Sequence, residues 1–303
     1  MPYPKKHDIM DFKQLTAKEL LDIRDRFDKD YGICDYTFGA NYMWYDYFVS
    51  GIAYASNGMP IIASGGNKNF SYPIGDGDAL AALDELKEYL GGKGKPFVID
   101  RVPRSEVDKV TAYYKGAEAA RIEGYWDYVY DIDALSEMTG KKYNGLRNHI
   151  NKFTREYPDA RFRIITEDDL PAVRAFFDEY CADYDKSSDS FAHDNMATRR
   201  VLDNFGQLGF IGGAVFAGGK ALAFAIGELG DKTDNMLFVH IEKCSRTVPS
   251  VSKFLVREFA RMGRGLGAKF VNRAEDMGDQ GIRYSKEQYN PCRLEYKYRI
   301  VVS

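Results

Sequence analysis

One five-residue stretch carries a histidine and a carboxylate at strand spacing. Residues 238–242 read Phe-Val-His-Ile-Glu, and the alternation of side chains along a strand puts His240 and Glu242 on the same face. Glu228, at the end of the preceding predicted strand, is expected close to them. A histidine beside two carboxylates can take the proton from an amine nucleophile. We therefore predict His240, Glu242 and Glu228 as catalytic; the alternative is a strand histidine that is simply hydrogen-bonded.

A second group of polar residues follows the next predicted strand. The run 272–294 reads NRAEDMGDQGIRYSKEQYNPCRL: acidic residues leave the strand, Gly278 makes a turn, and Asp279 caps a short helix with a cationic face. Acidic groups at the end of a strand beside such a face suit general-base catalysis or amine binding. The alternative is a well-capped turn followed by a charge network within one helix. The candidates in this run are Glu275 and Asp276 for catalysis, and Asn272, Arg283, Lys286 and Tyr289 for substrate binding.

A third segment, 141–155, predicts an amphipathic helix. It reads KKYNGLRNHINKFTR, with apolar residues at i, i+4 and i+7 that would dock it. Another stripe includes Arg147 and Asn151, and it presents two guanidinium groups and two amides together. Because arginine binds phosphate and carboxylate groups in a bidentate manner, this stripe suits an anionic ligand. The alternative, which spacing alone favours slightly, is a solvated linker helix.

The elements that must position these residues follow a recurring order. Periodicity and turn residues predict β-α-α-β-β-β-α-β-α-β between residues 160 and 301, including a hairpin over 210–229 and a closing strand over 293–301. This order is that of the GNAT acyltransferase fold, and the first half repeats its later portion. The predicted fold class is therefore α+β (an α/β mixed sheet), as two tandem GNAT-like acyltransferase domains. We predict an N-terminal domain over 1–135, a connecting helix over 136–158 and a C-terminal domain over 159–303.

The composition narrows the class of protein. With 303 residues, 45% of them hydrophobic and 29% charged, the chain has the length of two ordinary domains. A net charge of −3 argues against a protein that coats nucleic acid or an anionic membrane with its whole surface. The four cysteines lie far apart without metal-ligand spacing, so we predict reduced thiols and no metal site. Residues 1–14 lack the apolar core of a secretory signal and no stretch is apolar enough to span a membrane, so we expect a cytoplasmic protein.

Three clusters together resemble a known family. They are Lys142-Tyr143 with Arg147-Asn148-His149-Ile150-Asn151; Glu275-Asp276-Met277-Gly278 with Ile282-Arg283, Lys286, Tyr289 and Pro291; and DYTFGANYMW at 35–44. Over nearly its whole length the chain resembles the short, soluble members of the phosphatidylglycerol lysyltransferase C-terminal-domain family. The resemblance implies two GNAT folds and kinship with enzymes that move an aminoacyl group from tRNA to an amine or hydroxyl. Among the substrate-binding residues that it implies are Lys142, Tyr143, Arg147, His149 and Asn151.

Two departures from related enzymes bear on the donor and the acceptor. Acetyl-CoA-binding GNAT domains place a glycine-rich loop after the central strand, where backbone N–H groups hold pyrophosphate. Here residues 243–250 read KCSRTVPS, without glycine, and Pro249 lacks an N–H donor. A coenzyme A donor would need Arg246 and Ser250 to replace that loop. The membrane-spanning region of the lipid-modifying enzymes is also missing, which weighs against a phospholipid acceptor.

These observations predict an acyltransferase of the GNAT superfamily that transfers an aminoacyl group from aminoacyl-tRNA to an amine or hydroxyl. The expected partners are the tRNA acceptor end and a small-molecule, peptide or lipid-headgroup acceptor. No tightly bound cofactor and no metal are expected, because an aminoacyl ester is already activated. A carboxylate (Glu242, Glu228 or Glu275) would take the proton, and Arg147, Arg283 and Lys286 would hold an anionic group. Two alternatives stay open: a non-catalytic ligand-binding tandem GNAT module and an acetyl-CoA-dependent N-acetyltransferase.

Overall fold

The computed structural model describes residues 10–27, 31–182, 189–230 and 235–302, which form thirteen strands and eleven α-helices. The strands are β1 (Val49–Tyr54), β2 (Pro60–Ser64), β3 (Asn69–Ser71), β4 (Phe97–Pro103), β5 (Ala117–Arg121), β6 (Asp127–Asp131), β7 (Arg161–Ile164), β8 (Ile211–Ala217), β9 (Lys220–Leu229), β10 (Met236–Cys244), β11 (Phe270–Asn272), β12 (Arg293–Glu295) and β13 (Lys297–Val302). The helices are α1 (Ala17–Asp22), α2 (Phe38–Trp44), α3 (Ala79–Gly91), α4 (Arg104–Tyr113), α5 (Ile132–Glu137), α6 (Asn144–Glu156), α7 (Leu170–Ala182), α8 (Asp189–Asp203), α9 (Phe205–Leu208), α10 (Val251–Gly265) and α11 (Gln280–Glu287).

None of the described helices is both long enough and apolar enough to cross a membrane. Of residues 1–14, which lack the apolar core of a secretory signal, residues 1–9 lie outside the described part of the chain.

The chain divides into two compact units. The first consists of Met1–Asp127 and Glu295–Ser303, and the second of Tyr128–Leu294. The predicted boundaries at 135 and 159 differ from this division in two respects. Helix α6, predicted as a connector, belongs to the second unit, and the last strand belongs to the first.

The first unit is built on a six-stranded sheet in the order β1-β2-β3-β4-β13-β5. Its β1–β2 hairpin turns at Asn57-Gly58, as predicted, and Gly58 takes a φ of +81° that side chains disfavour. Strand β13 pairs antiparallel with both β4 and β5, and Tyr298 lies opposite Arg121, 177 positions earlier. A local apolar pattern identifies a strand but not its partner. For that reason the closing strand predicted over 293–301 is right only in part: it is two strands, of which β12 lies in the sheet of the second unit, as predicted, and β13 lies in the sheet of the first.

Helix α3 supplies much of the apolar core of the first unit. Leu83, Leu86 and Leu90 recur at helical spacing and are fully buried. Asp78 begins the helix by accepting hydrogen bonds from two backbone N–H groups of its first turn.

The second unit is built on a seven-stranded sheet in the order β12-β6-β11-β10-β9-β8-β7. The pairs β7–β8, β8–β9 and β9–β10 are antiparallel, whereas β10 and β11 are parallel. Helix α10 packs on β7–β10 through buried residues that include Leu255 and Phe259. The tyrosine-rich segment near residue 130, predicted as part of the first domain, is β6 and pairs with β11.

The entry into helix α7 confirms one sequence prediction in detail. Thr166 and Asp169 form a capping box, in which the Asp169 carboxylate accepts a hydrogen bond from the Thr166 N–H at 3.1 Å. The helix then buries Val173 and Phe177. Its predicted end near residue 184 lies outside the described residues.

Candidate active site

The parallel pairing between β10 and β11 stops in the middle of the second sheet. Pairs from Met236↔Phe270 to Phe238↔Asn272 hold the two strands together, whereas β10 continues to Cys244. On its other side β10 stays paired with β9. The edge of β10 beyond Phe238 therefore borders a gap in the sheet. We call this gap the strand opening; residues 239–244 border it on one side and Arg273, directly after β11, on the other.

His240 is the extra residue of a β-bulge in β10. Its neighbours Val239 and Ile241 lie opposite consecutive residues of β9, so no residue lies opposite His240 itself. The imidazole Nε2 lies 2.8 Å from Oε1 of Glu228, and the histidine side chain is only 4% exposed. The structure thus brings together two of the predicted catalytic residues. It does so through an irregularity that simple strand alternation does not reveal.

Glu242 forms an ion pair with Arg273 across the strand opening. Nη2 of Arg273 donates to Oε2 of Glu242 at 2.6 Å, and the ring centroid of Tyr289 lies 4.7 Å from the guanidinium. Burial opposes the positive charge, but the Glu242 carboxylate raises the pKa of Arg273 above its usual value. Sequence reasoning missed Arg273. The available signal was its position as the last residue of a predicted strand, next to the strand that carries Glu242.

Asp276 is fully buried and engaged by four donors. Its Oδ2 accepts from the Tyr128 hydroxyl at 2.6 Å and from Nε of Arg283 at 2.7 Å. Its Oδ1 accepts from the Gly278 N–H at 2.8 Å and from Nη2 of Arg283 at 3.4 Å. Burial by itself raises the pKa of this carboxyl, but the hydrogen bonds from Arg283, Tyr128 and Gly278 hold the pKa of Asp276 below its ordinary value. Asp276 and Arg283 therefore anchor the turn that follows β11.

Lys286 and Asn272 support the same turn, in which Glu275 is half-buried. The Lys286 ammonium donates to the backbone oxygen of Arg273 and, at 3.1 Å, to that of Ala274. Oδ1 of Asn272 accepts from the Ala274 N–H at 2.7 Å. Ala274 has a φ of +54°, a left-handed conformation that a residue with a Cβ holds only with such support. Both candidate binding residues thus fix the backbone that carries Arg273.

Two predicted binding residues are buried tyrosines. Tyr289 and Tyr143 are each 2% exposed, and the Tyr143 hydroxyl donates to the backbone oxygen of Tyr289 at 3.4 Å. Burial raises the pKa of both hydroxyl groups, so both stay protonated at neutral pH. Of the two, Tyr289 borders the strand opening through its ring contact with Arg273.

Arg147, the leading candidate on α6, closes a local turn. Its Nη1 donates to the backbone oxygen of Met138 and, at 2.8 Å, to that of Gly140, and its Nη2 donates to the side chain of Asn144. Met138 ends α5 in a left-handed conformation with a φ of +49°. The arginine therefore satisfies carbonyl groups between α5 and α6, as expected at a helix end.

The remaining candidates of the segment 141–155 lie on the surface of the second unit. Lys142, His149 and Asn151 are all exposed. The Lys142 ammonium lies 5.1 Å from the ring centroid of Tyr143, and Nδ1 of His149 is 3.0 Å from Oγ of Ser250 at the start of α10. Their predicted role in substrate binding remains a prediction.

Arg246 lines a cleft beside the end of β10. The cleft has a volume of about 150 Å³ and is also lined by Tyr180 and Lys220. The Arg246 guanidinium lies 5.6 Å from the ring centroid of Tyr180. Arg246 belongs to the loop between β10 and α10, and this loop ends at Ser250. Ser250 takes a φ of +68°, a left-handed conformation that glycine adopts easily and serine does not.

Comparison with known proteins gives a family and a fold. Residues 29–301 match the family described as "Phosphatidylglycerol lysyltransferase, C-terminal". An uncharacterized protein of Mycoplasmoides gallisepticum is 25% identical over 182 residues, which cover 59% of this chain. The match spans 57% of the length of that relative.

Two solved structures resemble the whole chain. A conserved protein of unknown function from Bacteroides thetaiotaomicron is 25% identical, with a TM-score of 0.83, over 97% of this chain and 100% of that one. L-PGS from Bacillus licheniformis is 15% identical, with a TM-score of 0.66, over 96% of this chain and 93% of that one. The predicted fold class, α+β with mixed sheets in two tandem GNAT-like domains, is confirmed.

Proposed function

Because this chain belongs to the phosphatidylglycerol lysyltransferase C-terminal family, we propose that it transfers an aminoacyl group from aminoacyl-tRNA to an amine or hydroxyl acceptor. The strand opening in the second unit would hold the reacting ester. The family description names a lysyltransferase that acts on phosphatidylglycerol, which makes lysine a sensible first donor and a lipid headgroup one acceptor to test.

The observation that carries the proposal is the hydrogen bond between His240 and Glu228 at the strand opening. Glu228 binds Nε2 at 2.8 Å and fixes the orientation of the imidazole. A buried base that is oriented by a carboxylate is a recurrent arrangement for proton transfer. In this scheme His240 is the general base, and Glu228 is the residue that positions it.

The reaction then needs one nucleophilic attack and one departure. The acceptor nitrogen or oxygen attacks the ester carbonyl carbon while His240 takes its proton. The carbon–oxygen bond to the terminal ribose breaks, and the ribose oxygen leaves with a proton returned by the histidine. Because the ester is already activated, positioning and one base supply the needed catalysis.

The loop that follows β10 also supports an aminoacyl rather than a coenzyme A donor. Residues 243–250 contain no glycine, and Pro249 offers no N–H to a phosphate group. A pyrophosphate group bound at a helix N-terminus needs several unobstructed backbone N–H groups. The proposal therefore favours a donor that does not need this loop to bind a pyrophosphate group.

A transfer assay with radiolabelled lysyl-tRNA tests the proposal. The acceptors offered are a small diamine, a peptide with a free amine, and vesicles that contain phosphatidylglycerol. We expect His240→Gln to lower the transfer rate by about 10²- to 10⁴-fold, the usual contribution of a general base. Glu228→Gln should lower it less, because the imidazole remains. Glu287→Gln, a change at an exposed glutamate of α11, should leave the rate unchanged.

Other outcomes of this assay would identify the alternatives. Acetyl transfer from acetyl-CoA without transfer from lysyl-tRNA would make the chain an N-acetyltransferase. Tight binding of charged tRNA without transfer to any acceptor would indicate a non-catalytic binding module.

A further inference from the structure

The pair formed by Glu242 and Arg273 has no task in the proton transfer described above. We propose that Glu242, held in place by Arg273, binds the α-ammonium group of the aminoacyl donor and so restricts the donors to esters with a free amine. This inference rests on the proposed function. It assigns the recognition of the donor's amine to a particular carboxylate.

The first support is the position of Glu242. It lies on β10 four residues beyond the last pair with β11, roughly 13 Å along the strand. Its side chain is 25% exposed, so a ligand in the strand opening can reach the carboxylate. Oε2 is engaged by Arg273, and within the described part of the chain no hydrogen bond reaches Oε1. The carboxylate thus presents an accessible acceptor at a fixed place.

The second support is the environment of Arg273. Its side chain is 10% exposed, and its Nε and Nη1 are buried without a hydrogen-bond partner among the described residues. Leaving donors of a buried charged group unsatisfied costs stability. The one carboxylate that its guanidinium bonds there is Glu242. An arginine kept at such a cost for one partner is best explained as a positioning residue for that partner.

The third support is the chemistry of the donor. An aminoacyl ester carries a positive ammonium group on the carbon next to the reacting carbonyl, whereas an acetyl group carries none. Bringing that cation into a half-buried opening is unfavourable unless a carboxylate receives it. Glu242 is two residues from His240 along β10, so the group that would bind the amine lies close in sequence to the proposed base.

Binding of two uncleavable donor analogues tests the inference. The first is an adenosine that carries lysine through a 3′-amide, and the second is the same compound with its α-amine acetylated. By titration calorimetry we expect the wild-type protein to bind the free amine about 10- to 100-fold more tightly, the effect of one charge-assisted hydrogen bond. Glu242→Gln should remove most of this preference by weakening the first compound. Glu287→Gln should preserve the preference.

Because Glu242→Gln leaves Arg273 buried beside a neutral group, it could unfold the protein. The double variant Glu242→Gln/Arg273→Met removes both charges and avoids that problem; it should fold and should also lose the preference. Equal binding of both analogues by the wild type, or a preference that survives in the folded double variant, would overturn this inference and leave aminoacyl transfer standing. Failure of the wild type to bind either analogue, together with no transfer from lysyl-tRNA, would overturn the proposed function as well.

Discussion

Replacing Asp276 with asparagine should separate a structural role from the catalytic one that its sequence context suggests. The carboxylate uses both oxygens: one accepts from Tyr128 and from Nε of Arg283, and the other accepts from Gly278 and from Nη2 of Arg283. Asparagine offers one oxygen and one amino group. In one orientation the amino group faces Nε of Arg283 and the Tyr128 hydroxyl, which can rotate to accept from it; in the other it faces the Gly278 N–H and Nη2 of Arg283. Either way a hydrogen bond from Arg283 and the negative charge that pairs with it are lost.

The expected cost follows from these losses. Each hydrogen bond to a charged group contributes about 1.5–3 kcal/mol, and Arg283, which is 26% exposed, regains some hydration. We therefore expect Asp276→Asn to lower the free energy of unfolding by about 3–5 kcal/mol. For a domain of this size that corresponds to a decrease of ~10 °C in melting temperature.

Urea denaturation followed by circular dichroism measures this loss, with Glu287→Gln as the matched exposed control. The loss should also depend on pH. Because the native pKa of Asp276 is lowered, its contribution is fully present above the ordinary aspartate value near 4 and is lost as the pH falls through the lower native pKa. The difference between the wild type and the variant should thus shrink in acid. A loss below about 1 kcal/mol at pH 7, with transfer activity abolished, would refute the structural role and restore the catalytic one.

Two further predictions concern Lys243 and Cys244 in the second unit. The Lys243 side chain is 8% exposed and is paired with Asp194. Asp194→Asn leaves this buried ammonium without its counter-charge, so the variant should lower the free energy of unfolding by about 3 kcal/mol. A change under about 0.5 kcal/mol in urea denaturation would contradict this. Burial raises the pKa of the Cys244 thiol to about 12, and it also raises the pKa of the exposed Cys292 thiol. Iodoacetamide at pH 8 should therefore modify Cys292 slowly and Cys244 more slowly still, as mass spectrometry can follow; equal labelling of the two in the native protein would contradict it.

Local features of the fold were predictable because they depend on neighbouring residues. The capping box at Thr166 and the turn at Asn57-Gly58 are set by side chains within three positions of one another. The pairing partners of β13 were not predictable. Its alternation of apolar and polar residues suits a strand in either sheet and does not say which strands it pairs with. Sheet membership is decided by packing between distant segments.

The candidate site shows the same division. The proximity of His240 and Glu228 was predictable from two adjacent strands of a hairpin-like sheet. The role of Arg147, which donates to backbone carbonyl groups, was not predictable. The sequence pattern of an arginine on a polar helix stripe is the same whether its side chain binds a ligand or the preceding turn. Arg273 was missed because its importance comes from the partner across the strand opening, which no local spacing reveals.

The place of β13 in the first sheet has a consequence for the order in which the protein is made. On a ribosome the strands β1 to β5 emerge first, yet the strand that lies between β4 and β5 is synthesised only after the whole of the second unit. The first unit therefore waits, with two exposed strand edges, while the whole of the second unit is translated and free to fold. A chain truncated before residue 297 would keep the whole of the second unit but would leave the first sheet without the strand between β4 and β5.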